Sequence, residues 1–540
     1  MGRSVYRLCT GRGPTRRLSS ARSPSLRRMG PWWRDGVVYQ VYPRSFCDTD
    51  GDGIGELEGI RRHLPHLVDL GVDALWLSPV FPSPMADFGY DVSDYCDIDP
   101  LFGDLSEFDR LVDETHRQGL RVILDWVPNH TSAEHPWFVA SRSSRDHPKR
   151  NWYIWRDPAP DGGPPNNWVC AFSPPDPAWT FDEATGQYYL HLFLAEQPDL
   201  NWSNPDVEQA MHDVLRFWLD RGIDGFRMDV VHCIGKNPEL VDDPPDLAGL
   251  PRCILHHDEE THPLLRRIRT LVEGYQGARP GLGDVVILGE TALFDTTLVG
   301  TYYGHGDELH LAFNFVPLQT PWSASAWRRQ IEVAAEVFDP LDAWPTWVLS
   351  NHDNPRHRSR YGTEARARAA AVLLLTLRGT PCLYAGEELG LADAAVPPER
   401  VVDPGGRDGC RAPFPWNADA MHGWAGEPWL PWPPDAERCN VEVERADGDS
   451  MLHLYQRLLG LRRTSAALRE GELRLLDLPE PCLGYRRSLP DRELLVLVNF
   501  GEAPIEIGLV GTVEVSTDRR REGDPFDGML AGDEAVVLRP

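Results

Sequence analysis

Apolar runs of five to seven residues recur along the chain, separated by stretches that read as helices. The runs are VVYQVYP (37–43), ALWLS (74–78), RVILDW (121–126), GFRMD (225–229), VVILGE (285–290), LHLAFNF (309–315), TWVLSN (346–351) and CLYAGE (382–387). Val, Ile, Leu and aromatic residues dominate them, as suits strands buried on both faces. Between them lie stretches that read as amphipathic helices, LSEFDRLVDETHRQG (105–119), VEQAMHDVLRFWLDRG (207–222) and EARARAAAVLLLTLRG (364–379). Each ends at a glycine, as C-capped helices do. Strand–helix alternation repeated eight times predicts an α/β fold, a parallel (β/α)8 TIM barrel.

The pattern breaks in three places. Residues 131–204, after the third strand, are rich in Pro, Trp and Asn and contain the hairpin-like AWTFDEATGQYYLHLF (178–193). They predict a small inserted domain over the barrel mouth. A Pro- and Gly-loaded stretch, 391–448, follows the eighth strand, and a last helix is expected near 450–464. The tail 465–540 alternates through LRLLDL, LLVLVNF, IEIGLV and VEVST, which predicts an antiparallel β-sandwich. The barrel itself then takes 31–130 and 205–464. Residues 1–30 carry eight arginines and no acid, and the composition changes at Pro31. No apolar core of a secretory signal precedes that point. The segment reads as a disordered extension: either a transit peptide or, as preferred here, a start assigned upstream of Met29.

Composition narrows the partners. The formal net charge is -28, which repels nucleic acid and anionic membranes and leaves neutral substrates open. No apolar window is long enough for a membrane span. The ten cysteines form no CxxC pair and no zinc spacing, and buried thiols in a reducing cytoplasm are expected. Oligomeric state leaves no mark on the sequence, and no organic cofactor motif is present.

A barrel of this kind carries its site where the strands end. There the chain places Asp125, Asn129 and His130, then Arg227 and Asp229, then Glu290, then His352 and Asp353. A single acid at a strand end is as well explained by a helix cap or a salt bridge. Several arriving together on one rim point to chemistry. Two facing carboxyl groups can cleave a glycosidic bond, one attacking the anomeric carbon and one protonating the leaving oxygen. The attacker should be ionised, and Arg227 would keep Asp229 so. The donor should have a raised pKa.

In order, Asp125-Trp126-Val127-Pro128-Asn129-His130, Gly225-Phe226-Arg227-Met228-Asp229, Gly289-Glu290 and Asn351-His352-Asp353 resemble four signature regions of the α-amylase superfamily, glycoside hydrolase family 13. Gln197-Pro198-Asp199-Leu200-Asn201 resembles a fifth. The resemblance implies retaining chemistry, with Asp229 as nucleophile, Glu290 as acid/base and Asp353 as transition-state stabiliser. His130 and His352 would bind hydroxyls of the sugar being cleaved, and Gln197 and Arg227 belong to the same binding set. Asp87-Phe88-Gly89-Tyr90-Asp91 and Gly406-Arg407-Asp408-Gly409-Cys410-Arg411-Ala412-Pro413 are similar to segments of oligo-1,6-glucosidases and related α-glucosidases. By that likeness Asp87 and Arg411 would grip the non-reducing end and Tyr90 would stack on the glucose ring. Ala412 stands where those enzymes often have Thr. Val230, after the nucleophile, accompanies α-1,6 activity in them, but the segment 232–262 departs from their pattern, so the linkage stays open between α-1,4 and α-1,6.

Asp48-Thr49-Asp50-Gly51-Asp52-Gly53-Ile54-Gly55-Glu56 alternates oxygen donors along a Gly-rich loop, which suits a hard cation, Ca2+ or Mg2+. It resembles the calcium loop of the oligo-1,6-glucosidases. Asp48, Asp50, Asp52, the Ile54 carbonyl and Glu56 would be ligands of a structural ion. The resulting expectation is an exo-acting α-glucosidase on small α-glucosides. The alternative is a glucosyl transferase or isomerase, of the sucrose isomerase or trehalose synthase kind, using the same intermediate. A non-catalytic transporter-associated subunit is the distant third, opposed by the presence of all three acids.

Overall fold

The computed structural model describes residues 31–279 and 283–540, so the reading of residues 1–30 lies outside the described residues. Eight short parallel strands form one sheet: β1 (Val38–Val41), β2 (Ala74–Leu77), β3 (Arg121–Trp126), β4 (Gly225–Met228), β5 (Val286–Gly289), β6 (Leu311–Ala312), β7 (Thr346–Val348) and β8 (Thr380–Tyr384). Their spatial order is β7-β8-β1-β2-β3-β4-β5-β6, each strand beside its sequence neighbours, and β8 returns to β1 through Val38↔Cys382. Each falls within or overlaps its expected run.

The last seam, between β6 and β7, is closed by a side chain. Thr346 Oγ1 donates to the Ala312 carbonyl at 2.6 Å and accepts from the Asn314 N–H at 3.3 Å. A two-residue strand offers too few main-chain groups for a ladder, and the hydroxyl supplies the missing partner inside a dry wall.

Alternate residues divide between two cores. Val38, Trp76, Ile123, Leu288, Leu311 and Val348 fill the barrel interior. Tyr39, Leu75, Leu124, Phe226 and Ile287 point outward, into the layer shared with the helices. The helices start on side-chain caps: Asp104 accepts from Glu107 N before helix Leu105–Arg117, and Asn204 from Asp206 N before Pro205–Asp220. Such caps are worth about 1 kcal/mol each. The chain leaves these two helices through Gly119 and Gly222, at φ 84° and 97°, where a Cβ would be strained.

Between β3 and β4 the chain forms a three-stranded antiparallel sheet from Trp155–Arg156, Trp179–Asp182 and Gln187–Leu190. The last two are the arms of the expected hairpin. Beyond helix Met451–Thr464 lies a five-stranded antiparallel sheet, in the order Glu472–Leu475, Cys482–Leu489, Arg492–Asn499, Ala535–Arg539, Thr512–Ser516. IEIGLV yields only the pair Ile505–Glu506, which joins Met529–Leu530 in a separate two-stranded sheet. Ile507 and Leu530 pack with Leu497 and Val536, so the two sheets enclose one core. Eight cysteines are buried free thiols. Among the described residues no helix is long and apolar enough to cross a membrane.

Thr346→Val keeps the shape and removes the closing hydroxyl. It should cost about 1–3 kcal/mol, because the Ala312 carbonyl loses its donor in a buried setting. Denaturant unfolding would read this; a variant as stable as wild type would show that the seam does not depend on Thr346.

Candidate active site

Parallel pairing dictates which side chains meet at the barrel mouth. Asp125 of β3 stands opposite Arg227 of β4, and Met228 stands opposite Gly289 of β5. The ladder runs one residue further, with Asp229 N donating to the Trp126 carbonyl and Glu290 N to the Met228 carbonyl, both at 2.8 Å. Asp229 and Glu290 are therefore in register on neighbouring strands, whose backbones lie about 4.8 Å apart. Asp229 is two residues beyond Arg227, so both face the same side.

The result is a cluster around one guanidinium. Arg227, 1% exposed, donates from Nη1 to Asp125 Oδ1 and Asp229 Oδ1 at 2.8 Å each, and from Nη2 to Glu290 Oε2 at 2.5 Å. Val230 N donates to the same Glu290 oxygen at 3.1 Å. Three carboxyls share one cation. Burial pushes Asp125 up to about 6 despite Arg227. Asp229 is raised well above the ordinary carboxylate range: burial comes first, and Glu290 and Asp125 add to it against Arg227. Arg227 favours the ionised form of Asp229 as expected, but burial and the two neighbouring acids act against it. A single guanidinium does not neutralise three desolvated acids.

A second group faces it from β7 and the loop after β8. Asp353 Oδ2 lies 3.1 Å from His352 Nε2. Its Oδ1 accepts from Arg407 Nη1 at 3.0 Å and Arg411 Nη2 at 3.2 Å. Burial alone would raise this carboxyl, but His352, Arg407 and Arg411 outweigh it and hold Asp353 below its usual range. His352 lies between the rings of Tyr42 and Tyr90, 5.7 and 5.3 Å away. Burial depresses it to about 3, so it is neutral near neutral pH. Gln40 Nε2 donates to its Nδ1 at 2.7 Å, which leaves the proton on Nε2, facing Asp353 and the Tyr90 hydroxyl. Tyr90, expected against a sugar, stacks on His352 and donates to Asp125 Oδ2 at 3.1 Å.

The proposed Asp87–Arg411 pair is not formed. Asp87 Oδ1 accepts from Arg407 Nη2 at 2.6 Å. Arg411 instead bonds the His352 carbonyl, Asp353 and Asp403, and lies over Tyr42. The two arginines are four residues apart on one turn around Asp403, which binds both, and only Arg407 reaches across to Asp87. The other oxygen of Asp87 accepts from Gln197 Nε2 at 3.0 Å, and the same nitrogen lies 3.1 Å from His130 Nε2. Residues of the insert and of three barrel loops thus close one ring. Arg407, Asp403, Gln40 and Tyr42 were missed from the sequence. Arg407 stood in the quoted motif and Asp403 four residues before it, but nothing local says which arginine crosses the mouth. His232 and His256 bond backbone carbonyls in the interior.

At the cation loop, Asp48, Asp50 and Asp52 bring carboxylate oxygens within 4.8 Å of one another. Asp48 is buried and accepts four backbone N–H groups, from Asp50, Gly51, Gly53 and Gly426. Glu56 does not join the cluster. Its carboxylate turns to the Thr49 N–H at 3.1 Å and to the Thr49 hydroxyl, and the Ile54 N–H serves Asp52. The cluster holds three of the five expected ligand residues, and its all-oxygen set fits a hard cation.

The α-amylase catalytic-domain family matches residues 40–471. A probable α-glucosidase of Rhizobium meliloti is 41% identical over 505 residues, covering 87% of this chain and 90% of that one. The oligo-1,6-glucosidase of Parageobacillus thermoglucosidasius is 37% identical over 530 residues, covering 87% and 91%. Among solved structures, the α-glucosyl transfer enzyme XgtA superposes with a TM-score of 0.84 at 40% identity, over 95% of this chain and all of that one. The trehalulose synthase MutB of Pseudomonas mesoacidophila MX-45 gives 0.87 at 31% identity, with the same coverage.

Arg227→Met leaves Asp125 and Asp229 buried without their cation and should raise both further. A carboxyl raised in the folded state loses stability as pH climbs from its unfolded value, about 4, to its folded one. The deficit against wild type should therefore be small near about pH 5 and reach about 3–5 kcal/mol near about pH 8. Unfolding curves at the two values would show it; an equal deficit at both would mean that Arg227 does not hold these acids.

Proposed function

The chain belongs to the α-amylase catalytic-domain family, glycoside hydrolase family 13, and on that premise we propose that it is a retaining, exo-acting α-glucosidase releasing terminal glucose from short α-1,4- or α-1,6-linked oligosaccharides. The carrying observation is the register of Asp229 and Glu290 on adjacent strands. A retaining pair needs its carboxyls about 5–5.5 Å apart, close enough for direct attack, and an inverting pair stands wider to admit a water.

In this reading Glu290 is the acid and Asp229 is the carboxylate that attacks the anomeric carbon. The bond to the leaving sugar breaks as Glu290 protonates its oxygen. A water then attacks the glucosyl–Asp229 ester, Glu290 takes the water's proton, and glucose leaves with its α configuration. Charge develops on the ring between these steps. Asp353, kept anionic by His352, Arg407 and Arg411, is the group to offset it. Neutral His352 and His130 would bind ring hydroxyls. Gln197 joins Asp87 to the insert, and Asp87 with Arg407 would cap the non-reducing end, so that the site accepts a chain terminus. Arg411 then orients Asp353 and takes no part in gripping the sugar. Val230 lies where the bulk of a side chain biases the leaving group by ~1–3 kcal/mol.

Likeness to XgtA and MutB supports a second reading, glucosyl transfer to a sugar acceptor. Product analysis on maltose, isomaltose and sucrose separates the two: free glucose supports hydrolysis, and new disaccharides support transfer. For the acid/base assignment, Glu290→Gln should lose at least about 100-fold on isomaltose yet keep the first step on p-nitrophenyl α-glucoside, whose leaving group needs little protonation. Equal loss on both would contradict it.

We also propose that Asp48, Asp50 and Asp52 hold a structural Ca2+, ordering the loop between β1 and its helix. Chelation should lower the melting temperature of wild type, and Asp50→Asn with Asp52→Asn should abolish that response. A wild-type melting temperature unchanged by chelator would refute the site.

A further inference from the structure

The backbone immediately after Asp229 does something unusual. Val230 has φ 32° and ψ 44°, in the left-handed region. Eight non-glycine residues have positive φ among the described residues, and Val230 is the β-branched one. For such a residue the conformation is an outlier costing on the order of 1–3 kcal/mol, and it persists only where surrounding contacts over-determine it.

Those contacts are visible on both sides. Asp229 N is still in the barrel ladder with the Trp126 carbonyl, and Val231 N already bonds the Glu290 carbonyl at 3.0 Å. The 3-10 turn Val231–Cys233 starts at once, closed by Cys233 N to the Val230 carbonyl at 2.8 Å. One residue must absorb the whole change of direction. Its side chain, 5% exposed, is clamped in a small core with Ile154, Trp168, Leu190 and Leu192 of the insert and with Cys253. The consequence of the turn is that the Val230 N–H points at Glu290 Oε2, 3.1 Å away.

We propose that Val230 is a positioning residue whose strained backbone holds an N–H against the Glu290 carboxylate and favours its ionised form. This inference rests on Glu290 being the acid/base group. The N–H acts beside Arg227 and Asp229 of β4 and its end, Asp125 of β3, His232 of the 3-10 turn and Cys253 of the helix Arg252–Leu255. The backbone N–H is the contribution that no side-chain substitution removes. The insert reaches the chemistry through it: packing on the Val230 side chain fixes the turn, and the turn aims the donor.

The test removes this N–H alone. Incorporating the α-hydroxy acid of valine at position 230 converts the Asp229–Val230 amide to an ester and leaves every side chain in place. A hydrogen bond to a charged group is worth about 1.5–3 kcal/mol, so Glu290 should release its proton at higher pH. The alkaline limb of the kcat/KM–pH profile should move up by roughly one unit. A limb that stays in place, in an enzyme whose Glu290→Gln variant shows the substrate split described above, overturns the inference alone. Loss of that split overturns the assignment of Glu290 beneath it. The strain has its own readout: Val230→Gly, with no Cβ to strain, should melt higher than Val230→Ala, reversing the usual order. Val230→Ala melting higher would show that the turn is not strained, and the proposal would fail.

Discussion

Desolvated acids cannot sit together at a barrel mouth without a cation among them, and the position of that cation constrains everything else in this site. Arg227 is nearly inaccessible to water and donates to Asp125, Asp229 and Glu290. Its place on β4 is fixed by the ladder on either side, so the acids inherit their positions from strand register and not from loop conformation. One positive charge against three carboxyls leaves the cluster short of neutralisation. It therefore retains a proton at pH values where isolated acids would not, as the raised Asp125 and Asp229 show.

Asp353 is treated in the opposite way. Two arginines and a histidine surround it, and it is held as an anion. The mouth therefore contains two electrostatic regimes a few side chains apart. Arg407 joins them to the Asp87 edge, since it touches Asp353, Asp403 and Asp87 at once. Gln197 completes the ring from the insert. The insert thus contributes Gln197 to the Asp87 side of the mouth and an apolar core around Val230, next to Asp229.

Much of this was legible in the sequence, for identifiable reasons. Buried parallel strands must be apolar throughout, so the eight runs announced themselves, and the acids that end them mark the rim. LHLAFNF overstated its strand. Only Leu311–Ala312 pairs, although Phe313 and Phe315 continue the inward alternation of Leu311, and Thr346 takes over the seam. Arg411 was chosen over Arg407 because the motif names both and spacing cannot decide which guanidinium crosses the mouth. Glu56 looked like a cation ligand from its position in an alternating loop, but the Thr49 N–H and hydroxyl lie closer to hand. The pressure on Asp229 was hard to foresee for a similar reason: Arg227 lies close in sequence, whereas the two other acids that compete for it arrive from different strands. Local chemistry reads well from a sequence. Competition between partners distant in the chain does not.

The central claim is that Asp229 attacks the sugar while Glu290 serves as acid and base across a short gap. Trapping reads this directly. Glu290→Gln enzyme, given an α-glucosyl fluoride, should accumulate one glucosyl residue per chain, and peptide mass spectrometry should locate it on Asp229. An adduct on any other residue, or inversion of the product with no adduct at all, would contradict the account.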